Sequence, residues 1–156
     1  MNDMTALFEM EIPGTVSAAA DLFEQLRRLL HARLAGSAPS ELAFAMEIVA
    51  REAIQNALDY GCGRDSAKTI RFSVRERGRS FLMVVSDDGP GFDTVRTIAR
   101  ELGSGLGISG NGIRIISGYT DRFEYVDGGR TLIAVFFLKG GIHADVDFKR
   151  KLESEI

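Results

Sequence analysis

Apolar side chains recur along this chain first with a period of two, then with a period of three to four, and the alternation repeats. The stretch "ALFEMEI" (6–12) alternates loosely and stops at Pro13-Gly14, which predicts a strand and a turn. Leu22, Leu26, Leu29, Leu30 and Leu34 then share one side of a helix over residues 15 to about 35, with Thr15 or Ser17 as cap and Gly36 as stop. Ser40 can cap a second helix that runs from Glu41 to about Tyr60 and closes at "GCG". Past Gly63 the runs "KTIRFSVRER" and "SFLMVVSD", split at Gly78-Arg79, read as a hairpin. A glycine-rich stretch over 89–112 holds one short helical segment, "TVRTIARELG". "GIRIISGYT" follows as a further helix, and "DRFEYV" and "TLIAVFFLK" close the order as a hairpin around Asp127-Gly128-Gly129. This order predicts an α+β protein whose helices pack on one face of a mixed β-sheet.

The second helix carries polar residues where apolar ones are expected. Leu42, Met46, Val49, Ala53 and Ala57 form its narrow core stripe. Asn56 falls about 60° from the middle of that stripe and Glu52 lies one turn earlier on the same side, so both are expected to be partly buried. An unpartnered buried amide costs about 1–3 kcal/mol, and a carboxylate more. Neighbouring backbone and solvent would satisfy them, and so would a bound ion or ligand.

Two glycine-rich stretches sharpen the question. "VSDDGPGFD" (85–93) leaves an apolar run with two aspartates and then places two glycines and a proline within three positions. "GSGLGISGNG" (103–112) puts five glycines directly before a helix. Backbone N–H groups of such a loop, together with the positive end of the following helix, can cradle phosphate oxygens. Neither a Gly-Lys-Ser/Thr motif nor a strand-glycine-helix dinucleotide arrangement is present, so a phosphate cradle here needs another architecture.

Composition narrows the partners. With 156 residues the chain fits one domain, and a net charge of -3 with 45% hydrophobic residues argues against a nucleic-acid or membrane-surface role. No apolar run approaches the roughly 20 residues of a membrane span, so a cytoplasmic location is expected. Cys62, the one cysteine, sits in the loop-like "YGCGRDS" without a histidine close in sequence and reads as unreactive.

Together "REAIQNALDYG" (51–61), "DDGPGF" (87–92) and "GSGLGISGNGIRII" (103–116) resemble the ordered boxes of the GHKL ATPase superfamily. Length, opening and the E-A-x-x-N-A wording look most like bacterial anti-sigma-factor serine kinases, the RsbW and SpoIIAB type. The resemblance implies a two-layer Bergerat-type sandwich over residues 1–139, with 140–156 as a charged tail. It implies ATP and Mg²⁺ as cofactors, with Asp87 accepting the adenine amino group and Gly89 and Gly91 letting backbone approach the base. Asn56 would ligate Mg²⁺, and Glu52 would act as general base. Gly103, Gly105, Gly107, Gly110 and Gly112 would wrap the triphosphate, and Thr131 would lie near the adenine. Arg96 and Arg100 either reach the terminal phosphate or form a solvated helix face. The implied activity is a protein serine/threonine kinase that phosphorylates an anti-anti-sigma protein of STAS type and sequesters a sigma factor, as a homodimer without direct nucleic-acid contact. The alternative is a nucleotide-gated protein-binding regulator of the same fold without turnover. Dimer and sigma-factor contacts would involve the first helix, with Arg27, Arg28 and Arg33. His31 lacks the acidic neighbour of a phosphoacceptor box and reads as a helix-surface residue.

Overall fold

The computed structural model describes residues 4–34, 40–103 and 112–138. The alternating N-terminal stretch forms strand β1 (Thr5–Pro13). The leucine periodicity forms helix α1 (Val16–Leu34), which buries Ala19, Leu22, Leu26, Leu30 and Leu34. Thr15, not Ser17, makes the capping bond: its Oγ1 accepts the Ala18 N–H at 3.3 Å, one of the donors a helix start leaves unpaired.

Helix α2 (Ser40–Asn56) stops short of the predicted Tyr60 because Ala57–Gly61 wind into a π turn. The Cys62 N–H reaches back five residues to the Ala57 carbonyl at 2.7 Å, widening the coil there. The predicted hairpin follows as β2 (Thr69–Arg77) and β3 (Ser80–Asp87), turning at Gly78 with φ 57°. After α3 (Thr94–Gly103) and α4 (Gly112–Tyr119), β4 (Arg122–Val126) and β5 (Thr131–Phe137) enclose a short 3-10 turn at Asp127–Gly129.

The strands form one sheet in the order β1-β2-β3-β5-β4. Every pairing is antiparallel, where the sequence reading expected a mixed sheet. The reason lies in the crossover: the chain passes through α3 and α4 to the far edge, lays down β4, and returns as β5, opposite in direction to both neighbours.

Alternation then sorts the sheet's faces. Ile70, Phe72 and Val74 of β2, Phe81, Met83 and Val85 of β3, and Leu132, Ala134 and Phe136 of β5 are buried. They form one core with Leu22, Leu26 and Leu30 of α1 and Met46, Val49 and Ala53 of α2. Each large aliphatic or aromatic side chain so placed contributes about 1.5–3 kcal/mol. Leu82, Val84, Ile133 and Val135, on the opposite face, are half-buried. This layering sets the C-terminal end of α2 beside the C-terminal end of β3. The tail beyond Leu138 and residues 104–111 of the glycine-rich stretch lie outside the described residues.

Candidate functional site

The two polar residues of α2 lie together at the start of α4. Glu52 and Asn56 are one helical turn apart and both half-buried. Gly112, first residue of α4, is their neighbour: a β-carbon there would lie 3.0 Å from Asn56 Nδ2, 3.4 Å from Glu52 Oε2 and 3.5 Å from Asn56 Oδ1. A residue without a side chain is thus what lets the N-terminus of α4, with its partial positive charge, approach the amide and carboxylate. Among the described residues neither side chain has a hydrogen-bonding partner. The arrangement joins a hard oxygen ligand, an acidic group and the positive end of a helix, a combination suited to a cation with attached phosphates. No group of three or more His, Cys, Asp or Glu gathers to hold a metal among the described residues.

The π turn carries the chain from Asn56 to Gly61, where the second half of the site begins. Gly61 lies against the carboxylate of Asp87, the last residue of β3. Gly89 is equally confined, since a β-carbon on it would fall 2.5 Å from the Gly61 Cα. Its N–H donates to Asp87 Oδ1 at 2.8 Å. Burial raises the Asp87 pKa above its ordinary 3.8 and Asp88 adds to the shift, whereas the Gly89 N–H and the Arg130 guanidinium act against it. Asp88 turns away to the Thr69 N–H at 3.2 Å and to Arg71 at 3.3 Å.

A turn from the other end of the domain holds the loop after β3. Gly91, with φ 74°, packs directly on the Gly128 carbonyl, and that carbonyl also accepts the Phe92 N–H at 2.9 Å. The Phe92 ring stands edge-on to Tyr125 at 5.0 Å and covers Gly129. Arg130 donates to the carbonyls of Gly89 at 2.8 Å, Asp127 at 2.9 Å and Pro90 at 3.3 Å. Sequence reasoning missed both Arg130 and Gly61. The glycine stood in the quoted "ALDYG"; the arginine, bonded through its side chain to backbone, leaves no motif.

The remaining expected residues lie elsewhere in the fold. Thr131 opens β5 opposite Ser86, and strand alternation sets that pair on the face away from the helices. The structure therefore does not bring Thr131 to the Asp87 carboxylate, which Gly61 covers from the helix side. Gly103 ends α3 and Gly112 opens α4, while Gly105, Gly107 and Gly110 lie outside the described residues. Arg96 and Arg100 are exposed on α3. Cys62 is buried, its thiol pKa raised by burial first and by Asp87 and Asp88 next, which leaves it a poor nucleophile. His31 is on the surface of α1 and meets Glu47 of α2 at 2.8 Å.

Helices layered on an antiparallel sheet, with an acidic strand end walled by glycines and a Glu–Asn pair at a helix start, are the architecture of a GHKL-type ATP-binding domain. The family model of the histidine kinase-like ATPase domain matches residues 16–136. The chain belongs to that family, and ATP is the nucleotide the fold binds. A comparison with curated proteins found no match. Among the described residues no helix is long and apolar enough to cross a membrane.

Proposed function

We propose that this protein is a Mg²⁺-dependent serine/threonine kinase acting as an anti-sigma factor. It phosphorylates an anti-anti-sigma protein of STAS type and, as a homodimer in the cytoplasm, sequesters a sigma factor. The observation that carries the reading is the shared neighbourhood of Glu52, Asn56 and Gly112, linked by one π turn to the Asp87–Gly61–Gly89 cluster. One end suits phosphates and the other suits a base that offers hydrogen-bond donors.

Asp87 accepts from the adenine amino group, and its partial burial strengthens that bond. Asn56 holds Mg²⁺ through Oδ1; the ion supplies charge neutralisation on the phosphates when bound. The acceptor hydroxyl oxygen forms a bond to the γ-phosphorus as the bond to the β-phosphate oxygen breaks, releasing ADP, and Glu52 takes the hydroxyl proton. α1 bears Arg27, Arg28 and Arg33 on its exposed side, and Arg33 already meets Glu76 at 2.6 Å. These arginines are the proposed contact with the sigma factor.

The test is calorimetric titration of Mg²⁺-ATP, followed by incubation with ATP and a STAS-type partner and mass measurement of that partner. Binding with a phosphate added to the partner supports the kinase. Binding and partner capture without phosphate would establish the nucleotide-gated regulator instead, and no nucleotide binding by the folded protein would overturn both.

A further inference from the structure

Arg130 grips the Asp87 loop from two sides. Its own carbonyl accepts the Asp87 backbone N–H at 3.0 Å, which fixes the end of β3. Its guanidinium reaches over the loop to the carbonyls of Gly89 at 2.8 Å and Pro90 at 3.3 Å, and is itself steadied on Asp127 O at 2.9 Å. Gly89 is the shared element. Its carbonyl is held by Arg130, and its N–H holds Asp87 Oδ1 at 2.8 Å. The chain guanidinium–Gly89–carboxylate therefore sets which Asp87 oxygen is engaged internally. Oδ2 accepts no hydrogen bond from the described residues. Steric walls at Gly61 and Gly128 close the remaining freedom of this loop.

We infer that Arg130 is a positioning residue for base recognition: by fixing Gly89 it directs the second oxygen of Asp87 toward the ligand, and so sets selectivity for a 6-amino purine over a 6-oxo purine. This rests on the ATP reading above and adds a residue that the sequence boxes do not contain. A 6-amino group donates to the presented carboxylate oxygen. A 6-oxo group meets it with a second acceptor, and two acceptors facing each other leave both unpaired. Lysine can take over the task only in part, because one ammonium does not reproduce a planar fork reaching three carbonyls.

The experiment compares Mg²⁺-ATP with Mg²⁺-inosine triphosphate by calorimetry on wild type, Arg130→Ala and Arg130→Lys, with thermal melts of each ligand-free protein. Wild type is expected to prefer ATP by about tenfold or more. In Arg130→Ala the ATP affinity falls to about that of inosine triphosphate, whose own affinity stays within about twofold. Arg130→Lys, which keeps the charge and stem, gives an intermediate ratio. A merely structural arginine would lower the melting temperature and both affinities in proportion, and an unchanged ATP-to-inosine ratio in a folded variant overturns the inference. If the alanine variant does not fold, the lysine variant decides by the same ratio. Wild type that binds neither nucleotide overturns the ATP reading and this inference with it; wild type that discriminates while the variants discriminate equally overturns this inference alone.

Discussion

Gly61 lies so close to Asp87 that a β-carbon on the glycine would fall 2.5 Å from both carboxylate oxygens. Gly61→Ala must therefore displace either the π turn or the carboxylate. Overpacking of this kind costs about 1–3 kcal/mol, which a thermal melt will read as a lower midpoint. Calorimetry of the same variant is expected to show ATP affinity reduced at least about tenfold, because the acceptor has moved. Unchanged affinity would show that the carboxylate pivots without loss.

Asp87→Asn separates stability from binding. Burial raises the Asp87 pKa above 3.8, so the folded protein holds this proton more tightly than the unfolded chain. Ionised Asp87 thus opposes folding: stability is fully present below 3.8 and declines as pH rises through the raised value. The asparagine variant, free of ligand, is expected to be at least as stable as wild type at neutral pH, with the advantage shrinking as the solution is acidified toward 3.8. Its ATP affinity is expected to be lost. Melts across pH beside one titration check both halves.

Glu52 and Asn56, although one turn apart, are expected to fail differently. Glu52→Ala should lower phosphoryl transfer by about 10²–10⁴-fold while ATP binding persists. Asn56→Ala should lose binding or its Mg²⁺ dependence. Single-turnover transfer and titration with and without Mg²⁺ distinguish the two, and full kinase activity in Glu52→Ala would remove the role assigned to it.

Gly112→Ala probes the approach of α4. Alanine favours a helix over glycine by up to about 1 kcal/mol, yet its methyl group would meet Asn56 Nδ2 at 3.0 Å. The expected result is a melting temperature close to that of wild type and Mg²⁺-ATP affinity several-fold weaker. Equal affinity would mean that Asn56 yields without cost.

Much of this was legible because burial imposes a period. The stripe from Leu22 through Leu34 predicted α1, and the angular offset of Asn56 and Glu52 from Met46 and Val49 predicted their half-burial. The three boxes pointed to the family that the fold and the match over 16–136 establish. Three features were not legible. The π turn depends on Gly61 docking against Asp87, a contact between elements distant in sequence. Strand direction depends on how β5 re-enters the sheet, which the residues of β5 do not encode. Arg130 acts on backbone carbonyls, which every residue has, so its targets carry no signature in side-chain type. Thr131 pairs with Ser86 on the face away from the helices, and the face a strand residue takes follows from register, which its neighbours in sequence do not reveal.

The hold of residues 127–130 on the loop after β3 also orders events in time. A chain made from its N-terminus completes Asp87–Gly91 well before the turn that fastens it, so this loop waits for the final hairpin to dock. The same dependence runs backward when the protein opens. Amide exchange at Phe92, whose N–H is held by the Gly128 carbonyl at 2.9 Å, then follows the loosening of the turn between β4 and β5, making one backbone proton a clock for that distant hairpin.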